Sequence, residues 1–117
     1  MRVLVFEFIT GGGFVNQPLP QSLLQEGTLM RNALLGDLLE LPFIHKLLIL
    51  QDQRLFNKNS QDLVQNICIS PRKKLKETLL SLNNAYDAVW LIAPETEGIL
   101  AAWTRFFTEQ GKDLCSS

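Results

Sequence analysis

The sequence predicts an α/β domain in three layers: a four-stranded, mainly parallel sheet of order 3-2-1-4 with helices on both faces. Apolar runs alternate along the chain with stretches of helical period, and that alternation favours parallel strands joined by right-handed crossovers. The apolar runs are continuous rather than alternating with polar residues, as strands covered on both faces require. Together these observations give half of a Rossmann-type sheet, with a flavodoxin-like order as the alternative.

The elements follow in order. Val3-Leu4-Val5-Phe6 reads as a buried strand that ends in Thr10-Gly11-Gly12-Gly13, followed by a loop containing Pro18 and Pro20. Ser22 with Gln25 three residues on is a capping-box pattern. Leu23, Gly27, Met30, Leu34, Leu38 and Leu41 then form one stripe at helical spacing, and Pro42 stops the helix. Lys46-Leu47-Leu48-Ile49-Leu50 is the second strand; residues 51–61 read as a polar loop, with Leu63-Val64 a short turn. Asn66-Ile67-Cys68-Ile69 is a third strand nearer an edge. Ser70-Pro71 places a cap residue before a proline at the first helical position, and Leu75, Leu79 and Leu82 continue that helix. Residues 87–93 are the fourth strand. Thr96 is the expected cap of a last helix whose Ile99, Leu100, Trp103, Phe106 and Phe107 share a face and whose end is Gly111. Residues 112–117 read as a connection leaving the domain.

A chain of 117 residues with 46% hydrophobic and 20% charged residues has the makings of one folded domain, and its composition excludes disorder. A net charge of −1 and a pI near 5.8 do not supply the basic footprint of a nucleic-acid binder. No apolar run has the roughly 18 residues of a membrane span, and Glu7 interrupts the first one too early for a signal segment. The expectation is a cytoplasmic protein with no nucleic-acid or membrane partner. The two cysteines, Cys68 and Cys115, form no paired motif, and the single histidine, His45, has no ligand spacing to either. No metal site is therefore expected in this chain.

In a parallel sheet of this order, ligands bind beyond the carboxyl ends of the strands where the winding reverses, here between strands one and four. The loops that meet there span residues 10–21 and 93–98. Thr10, Gly11, Gly12 and Gly13 offer bare backbone and exposed N–H groups, while Glu95 and Glu97 bring carboxylates to a helix start. Glu7, near the end of the first strand, is expected to support the glycine loop. These glycines match neither the GxGxxG dinucleotide pattern nor GxxxxGK[ST]. Arg72, Lys73, Lys74 and Lys76 read as a solvated helix face, and Trp103, Phe106 and Phe107 as core or interface.

Three spaced blocks carry a resemblance: residues 6–13, Ser22-Leu23-Leu24-Gln25-Glu26-Gly27, and Trp90-Leu91-Ile92-Ala93-Pro94-Glu95-Thr96-Glu97-Gly98-Ile99-Leu100. The chain resembles the N-terminal, pre-ATP-grasp domain of ATP-grasp carboxylate–amine ligases, and within them the tyramine–glutamate ligase-like proteins. The resemblance implies a single domain over residues 1–117 that is the N-terminal part of a longer chain and walls one side of the substrate site. In such ligases ATP and Mg²⁺ activate a carboxylate as an acyl phosphate that an amine then attacks. Both cofactors belong to further domains in cis, so this segment would hold neither and would not catalyse alone. Thr10, Gly11, Gly12, Gly13, Glu95 and Glu97 would border a small-molecule acid or amine. The alternative is a free-standing Rossmann-like interaction module, for which a homodimer is the expected form.

Overall fold

The computed structural model describes residues 1–56, 63–72 and 74–115. One parallel sheet contains β1 (Arg2–Glu7), β2 (Lys46–Asp52), β3 (Val64–Ile69), β4 (Ala88–Ile92) and β5 (Asp113–Cys115). Three helices accompany it: α1 (Gln21–Leu39), α2 (Leu75–Ser81) and α3 (Ile99–Glu109). Short 3₁₀ turns lie at Gln53–Leu55 and Thr96–Gly98.

The strand order is β3-β2-β1-β4-β5, so the sheet has five strands where four were expected. The additional strand falls in the segment read as a departing connection. Gly111, at φ +74°, turns the chain after α3, and Ala88 and Trp90 then pair with Asp113 and Cys115. Three residues, one of them an aspartate, are too few to show an apolar run. Ser116, Ser117, Lys73 and the last part of the expected 51–61 loop lie outside the described residues.

Strand alternation sorts the core into two halves. Leu4, Phe6, Leu48, Leu50 and Val89 face α2 and α3, where they meet Leu79 and Phe107. Trp103, Phe106 and Phe107 close this side in edge contacts, with Phe6 and Trp103 centred 5.0 Å apart at 87°. Val3, Val5, Leu47, Ile49 and Ala88 face the other way, toward Leu34, Leu35 and Leu38 of α1. Helices thus lie on both faces, unequally. Of the expected α1 stripe only Gly27 and Leu38 are buried, while Leu23 and Met30 stay 39% and 44% exposed. The described part of the β2–β3 connection holds only a 3₁₀ turn, so α1 has no described helical neighbour on its face.

The helix starts differ from those expected. α1 begins after Pro20, whose carbonyl accepts from Leu24 N–H at 2.9 Å; the fixed proline φ already suits a helix entry, and Ser22 makes no cap. α2 begins after Lys74, leaving Ser70 and Pro71 ahead of it. α3 begins after Gly98 at φ +71° because Glu97, at φ +57°, interrupts the turn that Thr96 starts. Val64 belongs to β3 rather than to a separate turn. Lys76 is not simply solvated either: its Nζ lies 5.8 and 5.7 Å from the Trp103 and Phe106 ring centres, within cation–π range. Among the described residues, no helix is long and apolar enough to cross a membrane.

Two predictions follow from groups at the base of the sheet. Tyr86 is buried, its hydroxyl has no hydrogen-bond partner among the described residues, and burial pushes the phenol up to about 12. Tyr86→Phe removes an unpaired polar atom, so denaturant titration should show stability unchanged or raised by up to about 1 kcal/mol. Arg2 grips Asp87 through Nη2 and Nε at 2.9 and 3.1 Å, and these hydrogen bonds hold the Asp87 carboxyl at about 2, below the ordinary 3.8. A depressed carboxyl stabilises above its unfolded pKa and loses that contribution as pH falls through the folded value. Asp87→Asn should therefore flatten the melting-temperature profile between pH 4 and 2, and added salt should shrink the difference.

Candidate functional site

The winding of the sheet reverses between β1 and β4, and β1 ends there with Glu7. Glu7 points to the α1 face, as Val3 and Val5 do, and is 3% exposed. Its carboxylate is held by the turn that follows: Ile9 N–H donates to Oε2 at 3.0 Å and Thr10 N–H to Oε1 at 2.8 Å. Phe8 N–H donates to the Ile92 carbonyl at 2.8 Å, extending the β1–β4 contact by one residue.

α1 comes close enough to Glu7 that one position must lack a side chain. A Cβ at Gly27 would lie 2.5 Å from Glu7 Oε1 and 3.3 Å from Ile9 Cβ. Glu7, Ile9, Leu23, Glu26, Met30 and Pro94 are among the residues that enclose a hollow of about 230 Å³ at this point. Two carboxylates thus face an otherwise apolar space, with Ala93 and Pro94 of the loop after β4 as its far wall.

The glycine turn lies elsewhere. Gly11 N–H donates to the Glu7 carbonyl at 2.8 Å and Gly13 N–H to the Phe8 carbonyl at 2.9 Å, so these two donors are engaged within the turn. A Cβ at Gly11 would meet the Glu7 carbonyl oxygen at 2.5 Å, and one at Gly13 the Phe8 ring at 2.6 Å. Gly12, at φ +105°, abuts Ile69 at the end of β3. Thr10 is fully buried, its carbonyl accepts from Asp52 N–H at 2.7 Å, and its hydroxyl has no partner among the described residues. Glu95 is exposed and borders a shallow groove along α3 with Leu100 and Arg105. Glu97 is exposed as well. None of the cavities described is lined by both the glycines and the two glutamates.

A second fastening completes this end of the sheet. Asp52 is fully buried at the end of β2. Burial raises its carboxyl, but hydrogen bonds and charge from Arg54 outweigh that and leave it lowered. Arg54 bonds both carboxylate oxygens, at 2.9 and 2.7 Å, and reaches the Phe14 and Gln17 carbonyls at 2.6 and 2.7 Å. Glu26, Gly27, Asp52 and Arg54 were not among the expected site residues; Gly27 stood only in the helical stripe and, with Glu26, in a block that carries the resemblance. A glycine inside a helical stretch was the available signal, since it costs about 1 kcal/mol relative to Ala and so marks a close approach.

Gly27→Ala tests this packing. The added methyl must displace a carboxylate pinned by two N–H groups. The variant should lose about 1–3 kcal/mol in denaturant unfolding despite its better helix propensity. Unchanged or greater stability would show that Glu7 moves aside freely.

A family model for the pre ATP-grasp 3 domain matches residues 45–117. Neither the curated proteins nor the solved structures give a match to this chain. The matched segment runs from the start of β2 through β5 and includes the wall formed by Ala93 and Pro94, whereas β1, the glycine turn and α1 precede it. Well over half of the chain is covered, and the protein belongs to the pre-ATP-grasp 3 domain family.

Proposed function

We propose that this chain is the substrate-side, N-terminal domain of an ATP-dependent carboxylate–amine ligase of the tyramine–glutamate ligase-like kind, and that its hollow takes the amine. The observation that carries this is the hollow at the winding reversal, where Glu7 and Glu26 face apolar walls. Two carboxylates select an ammonium group, and Ile9, Met30 and Pro94 suit an aromatic or aliphatic body. In this reading Thr10 holds the Glu7 carboxylate in place through its N–H, Gly11, Gly12 and Gly13 give the turn its path, and Glu95 and Glu97 border the approach beyond Pro94.

The described residues of this chain do not fit ATP or Mg²⁺. Among the described residues no three His, Cys, Asp or Glu side chains come together as a metal site. The glycine turn offers no phosphate cradle, because Phe6, Phe8 and Ile69 already fill the space beside its backbone. In this reading nucleotide and metal fall to further domains in cis, and the share of this chain is to bind and orient the amine in a cytoplasmic enzyme.

The test is an NMR titration of the chain with tyramine and with its uncharged analogue p-cresol. Amide shifts should appear at residues 7, 27 and 93 with tyramine and be weak with p-cresol. Glu26→Gln should weaken tyramine binding up to about fivefold, as befits an exposed charge pair. Shifts that spare these residues would sink the assignment.

A second reading, a self-associating module, is favoured by one feature. An open groove of about 700 Å³ between α1 and the β4–β5 edge is lined by Met30, Leu34, Trp90, Ile92 and Leu114. A concentration-independent monomer in sedimentation would exclude it.

A further inference from the structure

The α1 face holds a second hollow, on the other arm of the sheet. It measures about 440 Å³ and is lined by Arg31, Asn32, Gln51 and Asn66, with Ile49 and Val64 as its apolar floor. β2 and β3 pair Ile49 with Asn66 and Gln51 with Cys68, which makes Gln51 and Asn66 diagonal neighbours on one face. Gln51 is 7% exposed, and its Nε2 donates to Asn66 Oδ1 at 2.6 Å. A buried glutamine paired with a part-buried asparagine is a polar insertion in a face whose core is otherwise mostly Val, Leu and Ile.

Arg31 completes the lining from α1. Its Nε and Nη1 are buried and have no hydrogen-bond partner among the described residues, while Nη2 donates to Asn32 Oδ1 at a long 3.3 Å. A guanidinium is always charged and carries five donors, so burying Nε and Nη1 is a cost that no acceptor among the described residues offsets. Glu7 acts on it through its charge but makes no ion pair with it within 4 Å.

We propose that this hollow binds a small monocarboxylate, with Arg31 receiving the carboxylate and Gln51 and Asn66 the polar remainder of the molecule. Arg31, Gln51 and Asn66 line one space large enough for a small organic ligand, and the two unpaired Arg31 nitrogens lie buried behind it. A single charge is preferred because the Glu7 carboxylate, near enough to influence Arg31, repels the second charge of a phosphate dianion. Arg31 is only half-buried on a solvent-bordering helix, so rotation of its side chain brings the two buried nitrogens to the ligand. The site lies on the β2–β3 arm and does not depend on the amine hollow.

The experiment is a titration of the chain with propionate, propionamide and inorganic phosphate, read at the Arg31 Nε–Hε and Gln51 side-chain amide NMR signals. Propionate should shift both, propionamide should shift neither strongly, and phosphate should bind more weakly than propionate. Arg31→Gln should weaken propionate at least about tenfold, the loss expected for hydrogen bonds to a charged group. Gln51→Leu, which keeps the volume, should weaken it severalfold and serves if Arg31→Gln does not fold. Unmoved Arg31 signals, or equal propionate binding by a folded variant, would overturn the site. Tighter phosphate binding would overturn its ligand class. Tyramine shifts at residues 7, 27 and 93 report on the other hollow, so the two outcomes are separable.

Discussion

Glu7 places a carboxylate almost out of water at the point where the sheet reverses its winding. A buried charge without partners is prohibitively costly, and the chain answers with its next residues: the Ile9 and Thr10 N–H groups turn back onto it. That turn sets the path of the glycines, whose missing side chains let the backbone pass the Glu7 carbonyl, the Phe8 ring and Ile69. It also delivers the Thr10 carbonyl to Asp52 N–H. Asp52 in turn holds Arg54, which fixes the far end of the same loop through the Phe14 and Gln17 carbonyls. Two buried carboxylates, one on each central strand, therefore fasten the loop after β1 at both ends. The hollow beside Glu7 inherits its shape from that arrangement.

The two faces of the sheet differ in kind. On one, α2 and α3 bring Leu79, Trp103, Phe106 and Phe107 onto Leu4, Phe6 and Val89, and aromatic edges interlock. Large rings bury much area per residue, and this face carries the aromatic part of the core. On the other, α1 is the single helix among the described residues and leaves space on either side of it. The ligand-sized hollows of this face lie along its flanks.

The strands were legible because burial on both faces writes itself as continuous apolar runs, and their order followed from the alternation with helices. β5 was not legible: pairing a three-residue strand depends on where β4 presents its open edge, which only the assembled sheet determines. Helix starts were misplaced at Ser22, Ser70 and Thr96 because capping side chains compete with backbone geometry. Pro20, Lys74 and Gly98 occupy the positions that the chain path requires. The glycines at 11–13 were legible as a place of close approach, but a glycine's steric demand is the same whether the neighbour is a ligand or the protein's own Phe8 and Ile69. Gly27 carried the complementary signal, and its neighbour proved to be the carboxylate in the hollow.

Helical spacing explains how one element serves both hollows. Glu26, Gly27 and Met30 face the β1–β4 side, whereas Arg31, Asn32 and Leu35 face the β2–β3 side. α1 is thus a partition laid above β1, with carboxylates on one flank and a guanidinium on the other. Opposite charges on opposite flanks give the hollows opposite electrostatic character, negative beside Glu7 and Glu26 and positive beside Arg31. Glu7 belongs to both balances: it adds to the negative charge of the first hollow and offsets part of the positive charge at the second. The same buried carboxylate that sets the turn after β1 therefore also sets the electrostatic difference across α1.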